Sequence, residues 1–81
     1  MRIIDTERGQ SVRGIDLFLT ISEAKAFCQH LQRLLMDPEK SEHFHLKAED
    51  WSREVTCSIV TPRKLAELSY TELERRVFDE K

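Results

Sequence analysis

The strongest constraint in this sequence is a run of apolar residues at three- and four-residue spacing that follows a helix-capping signal. Thr20-Ile21-Ser22-Glu23 has the spacing of a capping box, although Ser22 is an alternative cap. Asp37-Pro38 ends the helix, because the residue before a proline avoids the helical region. The apolar positions between these signals predict one stripe on an amphipathic helix: Ala24, Phe27, Cys28, Leu31, Leu34 and Leu35.

Two later segments alternate between apolar and polar residues, which is typical of β-strands. Residues 42–47 place Phe44 and Leu46 on one face, and residues 53–60 do the same with Val55 and Cys57. Keeping both apolar faces buried sets the register of a hairpin. Leu46 is then expected opposite Val55, and Phe44 opposite Cys57.

The two ends of the chain carry weaker signals. Residues 2–8 and 12–20 predict a first hairpin around Gly9-Gln10-Ser11, and the second strand turns three residues inward: Ile15, Leu17 and Leu19. Thr61-Pro62 opens a turn or a short helix, since proline suits the first helical position. Ser69-Tyr70-Thr71-Glu72 predicts a second capping box before a helix with an apolar edge. That edge comprises Leu73, Val77 and Phe78, with Leu65 and Leu68 packed just before it.

These elements predict a single α+β domain over residues 1–81 with the order ββαββα. Two hairpins and two helices fit a four-stranded, mostly antiparallel sheet with both helices packed on one face. The other face of such a sheet is left open to solvent or to a partner.

Length and charge argue against several functional classes. A chain of 81 residues has a thin core, which disfavours an enclosed active site. Thirteen basic and fifteen acidic residues give a net charge of −2 without a basic stripe, so nucleic-acid binding is not expected. No apolar run resembles a signal peptide or a membrane span. Cys28 and Cys57 read as buried free thiols, which favours a cytoplasmic location.

The two strand histidines, His43 and His45, point to the same face because they are two residues apart. Such a pair can share a metal ion. That face also carries Thr56 and Ser58, which are poor zinc ligands, and structural zinc almost always takes four ligands. The simpler interpretation is a pair of exposed strand histidines, and no metal or other cofactor is predicted.

Thiol catalysis would need Cys57 beside His43 or His45. The alternation of the strands places the thiol and the imidazoles on opposite faces of the sheet. The sequence therefore predicts that the protein is not an enzyme.

Two aromatic residues have functional and structural interpretations that stay open at this point. Trp51, in the connection between the later strands, is either a lid on the core or an exposed anchor for a partner. Phe18 is predicted to face away from the helices, on the same side as His43 and His45. It is either part of a docking surface or an isolated exposed aromatic.

The run Leu19-Thr20-x-x-Glu23-Ala24, with Asp37-Pro38-Glu39, His43-x-His45 and Arg53-Glu54-Val55-Thr56 after it, resembles a group of short bacterial proteins. Some small proteins of this shape are regarded as immunity proteins of toxin systems. The resemblance covers roughly residues 15–62, implies a compact α+β domain of bacterial or phage origin, and transfers no catalytic residue.

Together these observations predict a small non-enzymatic protein-binding module, similar to an immunity protein, an antitoxin or an inhibitor. It is expected to act through an open sheet face or sheet edge. The candidate partner-binding residues are Phe18, His43, His45, Trp51, Thr56 and Ser58. The alternatives are a homodimeric structural domain and a metal-binding protein that uses the histidine pair.

Overall fold

The structure is a computed structural model, and it describes residues 1–80. It confirms an α+β protein. Its strands are β1 (Ile4–Asp5), β2 (Gln10–Ser11), β3 (His43–Lys47) and β4 (Glu54–Ser58). Its helices are α1 (Ile21–Met36), α2 (Pro62–Glu67) and α3 (Glu72–Phe78), and none within the described range is long and apolar enough to cross a bilayer.

Contacts divide the chain into two compact units, which are described separately. One unit is continuous and covers Phe18–Glu67, with α1, β3, β4 and α2. The other combines Met1–Leu17 with the segment that begins at Leu68, and it contains β1, β2 and α3.

The predicted four-stranded sheet is wrong, because the strands form two separate two-stranded antiparallel sheets. The first hairpin is short. It turns at Gly9, whose φ of +64° suits glycine, and it pairs only Ile4 with Ser11 and Asp5 with Gln10. Residues 12–20 form no strand, although their alternation predicted one, and β2 lies instead at Gln10–Ser11, within the predicted turn. Alternation of apolar and polar residues favours an extended backbone, but it supplies no neighbouring strand to hydrogen-bond the backbone N–H and C=O groups.

In the continuous unit, the predicted cap of α1 is confirmed. The Thr20 hydroxyl accepts the Glu23 N–H at 3.1 Å, and the Glu23 carboxylate accepts the Thr20 N–H at 2.9 Å. The helix ends at Met36, before the proline at position 38, as predicted.

The second hairpin has the predicted register, with Phe44 opposite Cys57 and Leu46 opposite Val55. Its inner face packs against α1. Phe44 makes an edge-to-face contact with Phe27 at 5.9 Å and stacks on His30 at 5.0 Å. The core cluster of this unit comprises Leu34, Phe44 and Leu46.

The predicted apolar stripe of α1 splits into two faces. Phe27 and Leu34 turn toward the hairpin, whereas the others are exposed: Ala24, Cys28, Leu31 and Leu35. The stripe spans about 120° around a helix that is about 10 Å in diameter. The two paired strands that pack on it lie only about 5 Å apart. A two-stranded sheet covers one edge of the stripe and leaves the rest in solvent. The prediction of a buried thiol is therefore wrong for Cys28 and holds only in part for half-buried Cys57.

Lys64 is the one buried charged side chain among residues 1–80, with 4% of its surface exposed. It lies in α2, which begins at Pro62 as the proline signal predicted. Its ammonium group donates to the Ser41 carbonyl at 2.9 Å, to the Ser41 hydroxyl at 3.2 Å and to the Ile59 carbonyl at 3.0 Å. Since Ser41 precedes β3 and Ile59 follows β4, Lys64 ties together the open end of the hairpin.

In the discontinuous unit, α3 carries the predicted apolar edge but begins later than expected. The capping box is formed by Thr71 and Glu74, not by Ser69 and Glu72. The two boxes overlap in sequence, and Val77, which is 1% exposed, is the buried residue of this helix. Leu68 at the start of this segment and Leu65 in α2 of the continuous unit were predicted to pack just before the helix, but they are 49% and 38% exposed.

Candidate functional site

The solvent-facing side of the second hairpin, here called the open face, collects most of the candidate residues. Alternation turns three side chains outward from each strand. Cross-strand pairs join His43 to Ser58, His45 to Thr56, and Lys47 to Glu54. All six residues are exposed. The predicted grouping of His43, His45, Thr56 and Ser58 on one face is confirmed.

His45 is held by two neighbours on β4. Its Nδ1 lies 2.9 Å from the Thr56 hydroxyl and also contacts the Glu54 carboxylate. A nucleophilic relay needs the hydroxyl and the carboxylate at opposite ring nitrogens, so that the base can take the proton from one side while the acid orients it from the other. Here both partners meet the same nitrogen. The arrangement fixes the imidazole ring without activating Thr56.

His43 packs edge-to-face on His45, with ring centroids 4.8 Å apart. No cluster of three or more histidine, cysteine or acidic side chains able to hold a metal ion is found in residues 1–80. Cys57 lies on the inner face, away from both imidazoles, and burial raises the pKa of its thiol. The predicted separation of this cysteine from the histidines is confirmed.

Trp51 lies in the turn between β3 and β4, and its interpretation as a lid on the core is wrong. Its surface is 74% exposed. It is the only non-glycine residue of the described range with a positive φ, at 64°, and its N–H closes the turn on the Ala48 carbonyl at 2.9 Å. The Lys47 ammonium lies 5.0 Å from the centre of its ring. An exposed tryptophan in a left-handed conformation is an uncommon combination.

Phe18 is 91% exposed, but the predicted reason for its exposure is wrong. It was expected on a strand of a joined four-stranded sheet, beside the histidines. That sheet does not form, and Phe18 lies in the non-strand segment that leads into α1. The structure therefore brings together five of the six candidates, in the hairpin and its turn, and leaves Phe18 outside the hairpin.

Both edges of the second hairpin are free of strand partners within the described chain. The Ala48 N–H donates to the Arg53 carbonyl at 2.9 Å, so these two residues form a hydrogen-bonded pair. Hydrogen-bonded and non-hydrogen-bonded residue pairs alternate along an antiparallel ladder, and the residues of a non-hydrogen-bonded pair direct their N–H and C=O groups away from the partner strand. The backbone groups of His43, His45 and Lys47 therefore point outward on one edge. Those of Glu54, Thr56 and Ser58 point outward on the other.

A small group of acids, which includes Glu23 of the capping box, lies beside the turn. Backbone N–H groups of Thr20 and Glu49 donate to the Glu23 carboxylate and lower its pKa. The hydroxyl and the N–H of Ser52 likewise lower the pKa of Asp50. These carboxylates accept hydrogen bonds that shape the turn and cap the helix, so the group is accounted for as local structure.

Lys64 was missed, because a lysine beside an arginine in a charged segment reads as solvent-exposed. No sequence signal marks it as the residue that closes the hairpin. Comparison of the chain with protein families, with curated proteins and with solved structures finds no match in any of the three. The functional argument therefore depends on the geometry of the hairpin.

Proposed function

We propose that this protein is a non-enzymatic protein-binding module that binds its partner through the second hairpin. The contact comprises the open face, one free strand edge and the exposed Trp51. An immunity, antitoxin or inhibitor-like role is the most concrete form of this proposal. Its main support is the conformation of Trp51, which is exposed and left-handed at the tip of a hairpin with unpaired edges.

Trp51 supports binding because its placement is unfavourable for the isolated chain. A left-handed conformation costs a non-glycine residue roughly 1–2 kcal/mol. Strained, exposed residues of this kind concentrate at functional sites. Tryptophan is also enriched among the residues that dominate the binding energy of interfaces. Insertion of Trp51 into an apolar pocket on a partner accounts for a residue that contributes little to the fold.

The free edges support a specific mode of binding, in which an extended segment of the partner adds a strand to the hairpin. Backbone groups that point outward at His43, His45 and Lys47 supply a ready row of donors and acceptors. Proteins usually protect such edges with short strands and charged residues. Here each strand has five residues, and each has one outward-facing lysine or glutamate: Lys47 on β3 and Glu54 on β4.

The open face adds polar contacts rather than chemistry. His45 is held in place by Thr56 and Glu54, and its Nε2 side is left to meet a partner. A fixed ring loses less conformational entropy on binding than a free one. These contacts support recognition and do not supply a catalytic relay.

The test is an affinity capture from lysate of the native host with wild-type protein, Trp51→Gly and His45→Asp. Trp51→Gly removes the anchor and suits the left-handed backbone, so the variant stays folded. Met36→Ala is the matched control, because Met36 is 85% exposed and lies in α1 rather than in the hairpin. We expect one protein captured by wild type and Met36→Ala and lost with both hairpin variants.

Hydrogen exchange then locates the contact on the purified complex. Added protection at the amides of His43, His45 and Lys47, or at those of Glu54, Thr56 and Ser58, is expected if the partner adds a strand. Equal capture of the same protein by wild type and both hairpin variants contradicts the proposal.

A further inference from the structure

Helix α1 has a second apolar face, turned away from the hairpin. It consists of Ile21, Ala24, Cys28, Leu31 and Leu35, here called the outer stripe. All five residues are exposed, with Ile21 at 77% and Leu35 at 62%. None is charged, in a chain in which 35% of residues are charged. At 3.6 residues per turn, the centre of the stripe lies about 90° around the helix axis from Phe27 and Leu34, which face the hairpin.

The residues of the outer stripe follow one another at intervals of three, four, three and four. That spacing is the pattern by which two helices pack side by side with interlocking side chains. The stripe runs for about 21 Å, at 1.5 Å per residue. Its natural counterpart is therefore another helix with the same spacing and length.

A second copy of α1 meets this requirement in antiparallel orientation. Cys28 is the midpoint of the stripe, so a two-fold axis there places Ala24 against Leu31 and Ile21 against Leu35 of the second copy. Ala24 then faces the larger Leu31, which fills the space between the helices at these positions. Lys25, at the margin of the stripe, meets the neutral Gln32 of the second copy rather than another lysine.

We propose that the protein forms an antiparallel homodimer through the outer stripe of α1. Small domains with a thin core commonly gain stability from disulfides or from self-association, and both cysteines here are free. A stripe about 21 Å long and one helix wide gives a contact at the low end of specific interfaces, below about 1,200 Å² in total. The dimer is accordingly weak and reversible. It leaves the open face of the hairpin accessible, so it is independent of the proposed function.

Sedimentation equilibrium tests the dimer between about 10 µM and about 1 mM, the range in which contacts of this size associate. Wild type is expected to approach twice the mass of one chain at the top of the range. Leu35→Glu, which puts a charge in the stripe at an already exposed position, is expected to stay monomeric. Met36→Glu is the matched control, because Met36 follows Leu35 in the chain and its exposed side chain lies off the stripe. This variant is expected to dimerise like wild type.

Thiol oxidation reports the pairing directly. Cys28 faces Cys28 of the second copy at the two-fold axis, so oxidation of wild type is expected to give a dimer linked through this residue. In the variant Ala24→Cys/Cys28→Ser the two introduced thiols lie about 12 Å apart along the helix axis, and no link is expected. A link between these introduced cysteines overturns the antiparallel arrangement. A monomeric wild type at the highest concentration, or dimerisation of Leu35→Glu at wild-type strength, overturns the dimer.

Discussion

The carboxylate of Glu23 accepts the backbone N–H of Glu49 at 2.9 Å, so one acidic residue holds the main chain of another. The second oxygen of the same carboxylate caps α1 through the N–H of Thr20. The Thr20 hydroxyl in turn donates to the Glu49 side chain at 3.1 Å. Glu23 therefore joins the beginning of the helix to the turn that carries Trp51, and it does so only while it is ionised.

The first prediction concerns the pH dependence of stability. The two backbone hydrogen bonds lower the pKa of Glu23 in the folded protein. Their contribution is complete above the pKa of the unfolded chain, about 4.3, and is lost as the pH falls through the lower folded value. Urea unfolding of wild type is therefore expected to show stability that falls as the pH drops below about 4. Glu23→Gln is expected to be less stable at pH 7 and to have a flatter profile.

Glu42→Gln is the control for this measurement, since Glu42 is exposed and precedes β3. Its profile should follow that of wild type. Parallel curves for wild type and Glu23→Gln from pH 7 to pH 3 would show that the carboxylate does not couple the helix to the turn.

The second prediction concerns the buried Lys64. Lys64→Met keeps an unbranched side chain but leaves the Ser41 and Ile59 carbonyls without their donor. Unsatisfied buried polar groups cost about 1–3 kcal/mol, so the free energy of unfolding should fall by about that amount. Lys40→Met, at an exposed position, should change it by less than about 0.5 kcal/mol. If urea unfolding finds the two variants equally stable, Lys64 does not hold the hairpin closed.

The third prediction separates the strain at Trp51 from its side-chain contacts. Trp51→Gly and Trp51→Ala both remove the ring and its contact with Lys47. Only glycine adopts the φ of 64° without a steric cost. Trp51→Gly should therefore be more stable than Trp51→Ala by about 1 kcal/mol in urea unfolding. The reverse order would mean that the turn does not hold residue 51 in the left-handed region in solution.

The fourth prediction concerns thiol reactivity. Cys28 is exposed, whereas burial raises the pKa of Cys57 and so reduces its thiolate fraction near neutral pH. Alkylation by iodoacetamide at pH 7.5 and low protein concentration should modify Cys28 at least about ten-fold faster. Peptide mass spectrometry measures both rates, and the difference should disappear in urea. Faster modification of Cys57 in the folded protein would contradict its place on the inner face of the hairpin.

The parts of the fold that were predictable from sequence depend on local signals. The Thr20 cap, the end of α1 before Pro38, and the register that places Phe44 opposite Cys57 each follow from residues close together in the chain. The four-stranded sheet required pairing between distant segments, for which residues 12–20 offer alternation and no specific partner. The loss of that sheet also explains why the outer stripe of α1 is uncovered.

The candidate site was predictable to the same extent. Alternation placed His43, His45, Thr56 and Ser58 on one face because the side-chain period of a strand is two. The exposure of Trp51 was not predictable, since a left-handed conformation is expected at glycine or asparagine and a lone tryptophan normally packs. Phe18 was grouped with the histidines only through the sheet that does not form.

The division of the chain into a continuous and a discontinuous unit has a consequence for the order of folding. Leu34, Phe44 and Leu46 lie close together in sequence, and contacts between nearby residues form quickly. The segment Phe18–Glu67 is continuous, so its helix and hairpin can form from contacts between nearby residues. The first hairpin instead packs with α3, which lies much later in the chain, so its unit depends on a long loop being closed.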